Sequence, residues 1–281
     1  MGKLIEKLQQ VSQSGGGGMG FFGRAREAER KARPAAVLVS LGVKDVAAVE
    51  AVAKQGADAV IVTGWTPQSA DLSAIKNALA SSPTIYGVEL AANVSGDGVL
   101  KAAQEAGASF AVLPASAPAR ILYEEVEQFD RVVTLDLPGD DMGLLLLRTQ
   151  SLLPAQVALM RLDMPSAALA NLSVADYAKL RLVAESLRFP LLVVVKEAAE
   201  QEATSMLARL GVDGIVLAGA GMAAATLGAQ VQAVREALEH TPVHDKGDSS
   251  VSLGGLMSAA GTSLTPPTRR EPEREPDPEH E

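Results

Sequence analysis

From Pro34 onward, short apolar runs alternate with longer segments in which apolar residues recur at helical spacing. A short run of Val, Leu, Ile and Ala bounded by polar or glycine positions is the pattern of a strand buried on both faces, as strands in parallel sheets are. Eight runs of this kind occur: Ala36 to Ser40, Ala59 to Val62, Thr84 to Glu89, Phe110 to Leu113, Arg131 to Leu135, Val157 to Arg161, Leu191 to Val195 and Gly214 to Leu217. Each precedes a predicted helix. The first runs through Val46, Val49 and Val52 to a stop at Gly56, and the second covers Leu72 to Leu79. The others cover Asp97 to Ala106, Ile121 to Phe129, Asp141 to Leu152, Val174 to Leu187, Ala199 to Leu210 and Met222 to Glu239.

Strand and helix in strict alternation imply parallel strands joined by right-handed crossovers, and eight such units close a single (β/α)8 TIM barrel. An open doubly wound sheet would carry a glycine-rich turn after its first strand, whereas Ser40-Leu41-Gly42-Val43 holds one glycine. An internal repeat supports the eightfold count. The phrase Gln55-Gly56-Ala57-Asp58-Ala59 recurs as Ala106-Gly107-Ala108-Ser109-Phe110 and as Leu210-Gly211-Val212-Asp213-Gly214, one and then two periods of about 52 residues further on. These phrases open strands two, four and eight. At strand six, Leu153-Pro154-Ala155-Gln156-Val157 stands in, with proline as the helix breaker. Each glycine sits where a left-handed residue would end a helix.

The domain boundaries follow. Residues 34–240 are the barrel, residues 1–33 a lead-in with a short helix and Gly15 to Gly18 as linker, and residues 241–281 an acidic, Pro-rich tail predicted to be disordered. Leu4, Leu8 and Val11 share one helical face, but a chain end of this length is expected to fray rather than dock. Protein partners are expected, if anywhere, through residues 1–18 or the C-terminal tail.

Composition then removes whole classes of chemistry. With aromatics at 3 %, the core must be aliphatic. No cysteine is present, which removes disulfides, thiolate nucleophiles and Cys-ligated metals. His240, His244 and His280 all fall at or beyond the last helix, so neither a Ser-His-Asp triad nor a His-ligated metal fits inside the barrel. A formal charge of -9 argues against nucleic acid as a partner. With neither a signal-like apolar segment nor a run long enough to span a bilayer, the expectation is a cytoplasmic protein without a membrane span.

Active sites of such barrels lie at the C-terminal ends of the strands. The polar residues there are Ser40; Thr63, Gly64 and Trp65; Glu89 and Asn93; Ser116; Asp136; Arg161 and Asp163; Lys196 and Glu197; and Gly219 and Gly221. Lys196 and Glu197 are adjacent, so one of them faces the mouth and the other the helices. Emerging from Leu191-Leu192-Val193-Val194-Val195, the Lys196 amine could be depressed in pKa and act as a Schiff-base nucleophile or general base, or it could pair with Asp136, Asp163 or Glu89. The candidate catalytic set is Lys196, Asp136, Asp163 and Glu89. The candidate substrate contacts are Arg161 as anion clamp, Gly219 and Gly221 as phosphate seat, and Trp65 as stacking ring or rim packing. Neither a metal nor a cofactor is required, the alternatives being Mg2+ on Glu89, Asp136 and Asp163, or FMN.

The segment Gly211-Val212-Asp213-Gly214-Ile215-Val216-Leu217-Ala218-Gly219-Ala220 resembles the last strand and loop of the aldolase-type, phosphate-binding TIM barrels. That group contains indole-glycerol-phosphate and thiamin-phosphate synthases and several flavin-dependent oxidases. The resemblance implies a phosphate or flavin seat at Gly219 and Gly221 and an aldolase-like lyase or isomerase acting on a small oxo-acid or phosphorylated metabolite. The turn Lys196-Glu197-Ala198-Ala199-Glu200 lacks the glycines usual in the group after strand seven. Two other readings stand beside it: a barrel without catalysis that serves as a binding or scaffold protein through its tails, and a flavin-binding barrel.

Overall fold

A computed structural model of the chain describes residues 2–13, 32–68, 71–94, 97–135, 152–162, 164–196 and 200–242. Eight parallel strands form a closed barrel in chain order: β1 (Ala36–Gly42), β2 (Ala59–Thr63), β3 (Ile85–Glu89), β4 (Phe110–Leu113), β5 (Asp130–Leu135), β6 (Val157–Arg161), β7 (Leu191–Val195) and β8 (Gly214–Ala218). The described helices are α1 (Lys3–Gln13), α2 (Val46–Lys54), α3 (Ser73–Leu79), α4 (Val99–Glu105), α5 (Ser166–Ala170), α6 (Val174–Ser186), α7 (Gln201–Arg209) and α8 (Ala224–His240). The helix expected between β5 and β6 lies outside the described residues. The barrel unit spans residues 1–244, and among the described residues no helix is long and apolar enough to cross a membrane.

Carried once around the barrel, the strand register leaves β1 at Gly42 and returns at Pro34, eight residues back, the shear that suits eight strands. Side chains then divide by parity into two separate cores. Val37, Val39, Leu41, Val60, Val62, Val88, Ala111, Val193, Val195 and Ile215 face outward and pack with the helices. Leu38, Ile61, Phe110, Val112, Val132, Leu159, Leu192, Val194 and Val216 fill the lumen. Two lumen glycines make room for this filling. A Cβ on Gly87 would lie 2.4 Å from the Phe110 ring, and one on Gly214 would lie 2.6 Å from Leu192 and 2.9 Å from Leu38.

The recurring phrase is a helix stop joined to a strand start. Gly56, Gly107 and Gly211 follow α2, α4 and α7 with φ of 79°, 94° and 87°. In each copy the glycine N–H and the next N–H donate back into the last turn: Gly56 to Ala53 and Ala57 to Val52, Gly107 to Gln104 and Ala108 to Ala103, Gly211 to Ala208 and Val212 to Leu207. This is the Schellman pattern, which satisfies carbonyls that a helix end would leave bare. The polar residue that follows ties the new strand to its neighbour. Asp58 accepts from the Val37 N–H at 2.9 Å, Asp213 from the Leu191 N–H at 2.8 Å, and Gln156, in the proline-bearing copy, from the Arg131 N–H at 2.8 Å.

Two expectations are corrected. The chain between β4 and β5 forms a 3-10 turn at Ala119–Tyr123 rather than a helix to Phe129. Gly98 has no side chain with which to cap α4, and Glu124, in extended backbone, supplies the cap by accepting from the Gly98, Val99 and Leu100 N–H groups. That demand holds Glu124 out of a helix.

The second correction concerns α1, which is docked rather than frayed. Leu4, Leu8 and Val11 join the lumen core from below, closing the N-terminal end of the barrel. The buried carboxylate of Asp130, at the start of β5, caps the helix by accepting from the Leu4 and Ile5 N–H groups at 2.8 and 3.3 Å. The buried Lys7 amine donates to the Pro83 carbonyl at 3.3 Å. At the far end of α1, the Arg33 N–H donates to the Val11 carbonyl at 3.2 Å, while the Arg33 guanidinium holds Asp58 at 3.0 Å in a buried ion pair.

Gly87→Ala forces a methyl into the Phe110 ring and is expected to destabilise the fold by about 1–3 kcal/mol, read as a lower urea midpoint. Asp130 gives a pH signature. Burial raises its pKa above the usual carboxylate value, outweighing the two N–H donors that lower it. The folded chain therefore binds this proton more tightly than the unfolded chain does. The contribution is present below the unfolded pKa and is lost as pH rises through the higher folded value. Relative to wild type, Asp130→Asn should gain stability between about pH 4 and about pH 7, measured from urea midpoints at both.

Candidate active site

Strand parity fixes which polar groups reach the mouth. Continuing each lumen row upward places Ser40, Thr63, Glu89, Thr134, Arg161, Lys196 and Ala218 above the apolar filling. Directly beneath them, Ile61, Val112, Leu159, Val194 and Val216 are buried, so the lumen offers no deeper polar chamber. Anything bound at this end rests on that apolar floor and meets polar groups only at the rim.

The central feature is an ion pair across the mouth. Nη2 of Arg161, at the end of β6, donates to Oε1 of Glu89, at the end of β3, at 2.5 Å. The side chains are 47 % and 24 % exposed respectively, so the pair forms the surface of the site rather than part of its core. Lys196 follows Val195 in the lumen parity set by Leu192 and Val194, and its side chain is exposed and engaged in an interaction of its own. Of the adjacent Lys196 and Glu197, it is therefore the lysine that shares the lumen face. Thr63 is half-buried, its hydroxyl donating to the Leu41 carbonyl at 3.2 Å; Ser40, on neighbouring β1, and Thr134, on β5, are half-buried as well.

The remaining candidates are placed differently. Trp65 is 3 % exposed and belongs to the core between strands and helices. The Gly219 N–H is committed to the Ser40 carbonyl at 2.8 Å, and a Cβ there would lie 2.6 Å from Leu227, so this glycine lets α8 pack closely on the barrel. Gly221, at φ 77°, has open space where a Cβ would stand, and the N-terminus of α8 that follows has no side-chain cap. Asn93 and Ser116 are exposed on their loops. Asp136, Asp163 and Glu197 lie outside the described residues. Among the described residues no three His, Asp or Glu side chains cluster as metal ligands would. Thr134 was absent from the sequence inventory, although its spacing of two from Val132 places it on the lumen face.

No family model matches the chain, and no curated protein sequence matches it. Solved structures do. Tryptophan synthase from Mycobacterium tuberculosis is similar with a TM-score of 0.57 at 13 % identity, covering 85 % of this chain and 98 % of that one. Thiamine phosphate pyrophosphorylase from Pyrococcus furiosus gives 0.53 at 16 % identity, over 74 % of this chain and 96 % of that one. A native KDPGal structure gives 0.51 at 17 % identity, over 72 % and 93 %. The chain thus shares the (β/α)8-barrel fold of these structures.

A solvent-exposed ion pair contributes about 0–1 kcal/mol to folding. Glu89→Gln and Arg161→Met should therefore each shift stability by less than about 1 kcal/mol in urea titrations. A larger loss would identify the pair as a structural strut rather than a site.

Proposed function

We propose that the barrel is an aldolase-like lyase or isomerase that binds a small oxo-acid or phosphorylated metabolite at its C-terminal mouth. The observation that carries this reading is the Arg161–Glu89 pair, which sets a guanidinium and a carboxylate on the lumen face just above an apolar floor. Arg161 is the anion clamp, since its planar fork matches a carboxylate or phosphate. Glu89 and Lys196 exchange protons with the bound molecule, and Lys196 is the group able to condense with a carbonyl, releasing water and forming an imine. Asp136 and Asp163 assist as proton carriers from the loops after β5 and β6. The uncapped N-terminus of α8 beside Gly221 offers backbone N–H groups to a phosphate. The fold supports the reading by analogy alone, because similar barrels serve many chemistries.

Borohydride reduction in the presence of a panel of oxo-acids should attach a stable adduct to Lys196, located by peptide mass mapping, and Lys196→Met should abolish it. Oxo-acids that leave the lysine unlabelled would remove the imine step. In a turnover assay with a substrate from the same panel, Arg161→Met should raise KM about 10- to 100-fold through loss of a charge-assisted contact.

A further inference from the structure

Granted the reading above, in which Lys196 condenses with an oxo group, the strand register identifies what stands beside that lysine. We infer that Ser40 is a further substrate-contacting residue, its hydroxyl donating a hydrogen bond to the oxygen of the carbonyl that Lys196 attacks. Ala218, between the two, limits the size of the group that fits there.

Ser40 on β1 is paired with Ala218 on β8, and Val195 on β7 with Leu217 on β8, so Lys196 continues the row beside Ala218. All three stand in lumen rows, since Leu38, Val216 and Val194, two residues below them, fill the lumen. Neighbouring strands lie about 4.8 Å apart, so the backbones of Ser40 and Lys196 are about 10 Å apart with a single methyl side chain between them. The closed sheet curves around the lumen and turns the two side chains toward each other. Solvent reaches this stretch of the rim, for Ser40 and Ala218 are half-buried and Lys196 is exposed.

The state of the Ser40 hydroxyl suits that role. The Ser40 carbonyl accepts from the Gly219 N–H at 2.8 Å, which fixes the backbone. Its hydroxyl has no hydrogen-bond partner among the described residues. Beneath it Leu38 is fully buried and offers no acceptor. The hydroxyl therefore takes its partner from the mouth side, as water or as a bound molecule. The Thr63 proton, by contrast, is committed to the Leu41 carbonyl.

Attack by the neutral amine forms the C–N bond and moves the carbonyl π pair onto oxygen. Both amine hydrogens then leave with that oxygen as water, and the C=N bond of the imine closes. Negative charge develops on the oxygen in the first step, and a donor already aimed at it lowers that barrier. Ser40 forms no covalent bond and gives up no proton. A methyl at position 218 leaves the carbonyl room between donor and nucleophile, whereas a branched side chain there takes that room.

The test follows the rate of borohydride-trapped adduct formation at Lys196 in the full chain, as a function of oxo-acid concentration. Ser40→Ala should lower the maximal rate at least about tenfold and leave the half-saturating concentration within about twofold, as expected for a contact made in the transition state. Ser40→Thr, which keeps the hydroxyl, should restore most of the rate. Ala218→Val should raise the half-saturating concentration, and more for longer 2-oxo acids than for pyruvate. A wild-type rate in Ser40→Ala, with wild type labelled at Lys196, would overturn the role of Ser40 and leave the imine reading standing. Unchanged half-saturation in Ala218→Val would overturn the size limit. A wild-type chain left unlabelled by every oxo-acid would overturn the imine reading, and the inference with it. Thermal unfolding midpoints accompany each variant, and should Ala218→Val not fold, the two Ser40 variants decide.

Discussion

A closed parallel sheet has no edge, so its stability depends on filling the lumen with the alternate side chains of all eight strands. Every other feature answers to that demand. The filling is aliphatic because the chain is poor in aromatics, and the one large ring among the described lumen residues, Phe110, is accommodated by the missing side chain of Gly87. Packing of this density leaves little freedom to move a strand by one residue, since a slip would send Leu38, Ile61 and Leu159 outward. The same parity that fills the lumen also decides which residues surround its mouth. Glu89, Arg161 and Lys196 owe their placement to the apolar residues beneath them.

The two ends of the barrel divide the work. At the base, buried and half-buried polar groups are held by specific hydrogen bonds: Asp130 caps α1, Asp58 serves both Arg33 and the Val37 N–H, and Asp213 and Gln156 hold the first residues of neighbouring strands. These contacts orient and fasten. At the mouth, the polar groups are half-buried or exposed, and their principal contact is a pair of opposite charges at the surface. Rigidity at one end and exchangeable partners at the other suit a fold in which binding is added to a scaffold without disturbing it.

The eight strands were readable because burial on both faces leaves an unbroken apolar run, and the helix stops because Gly56, Gly107 and Gly211 each need a left-handed backbone. The docking of α1 was not readable. Its apolar face is plain in Leu4, Leu8 and Val11, but the surface that receives it is the open base of a barrel, which exists only once eight strands have closed. The 3-10 turn after β4 was hidden for a related reason, since Glu124 is held by a helix cap 24 to 26 residues away. In the candidate site, Glu89 and Arg161 could each be singled out as strand-end charges. Their partnership spans 72 residues and three strands, and it follows from register rather than spacing.

The bond between the Arg33 N–H and the Val11 carbonyl brings the end of α1 and the approach to β1 to within 3.2 Å of each other. The points at which the chain leaves α1 and re-enters towards β1 therefore lie side by side at the base of the barrel. Lengthening such a connection adds only loop-closure entropy, about 0.6 kcal/mol for each doubling. The base of this barrel is thus a natural port for grafting: a whole foreign domain could be spliced between α1 and β1 while the opposite end of the molecule keeps its geometry.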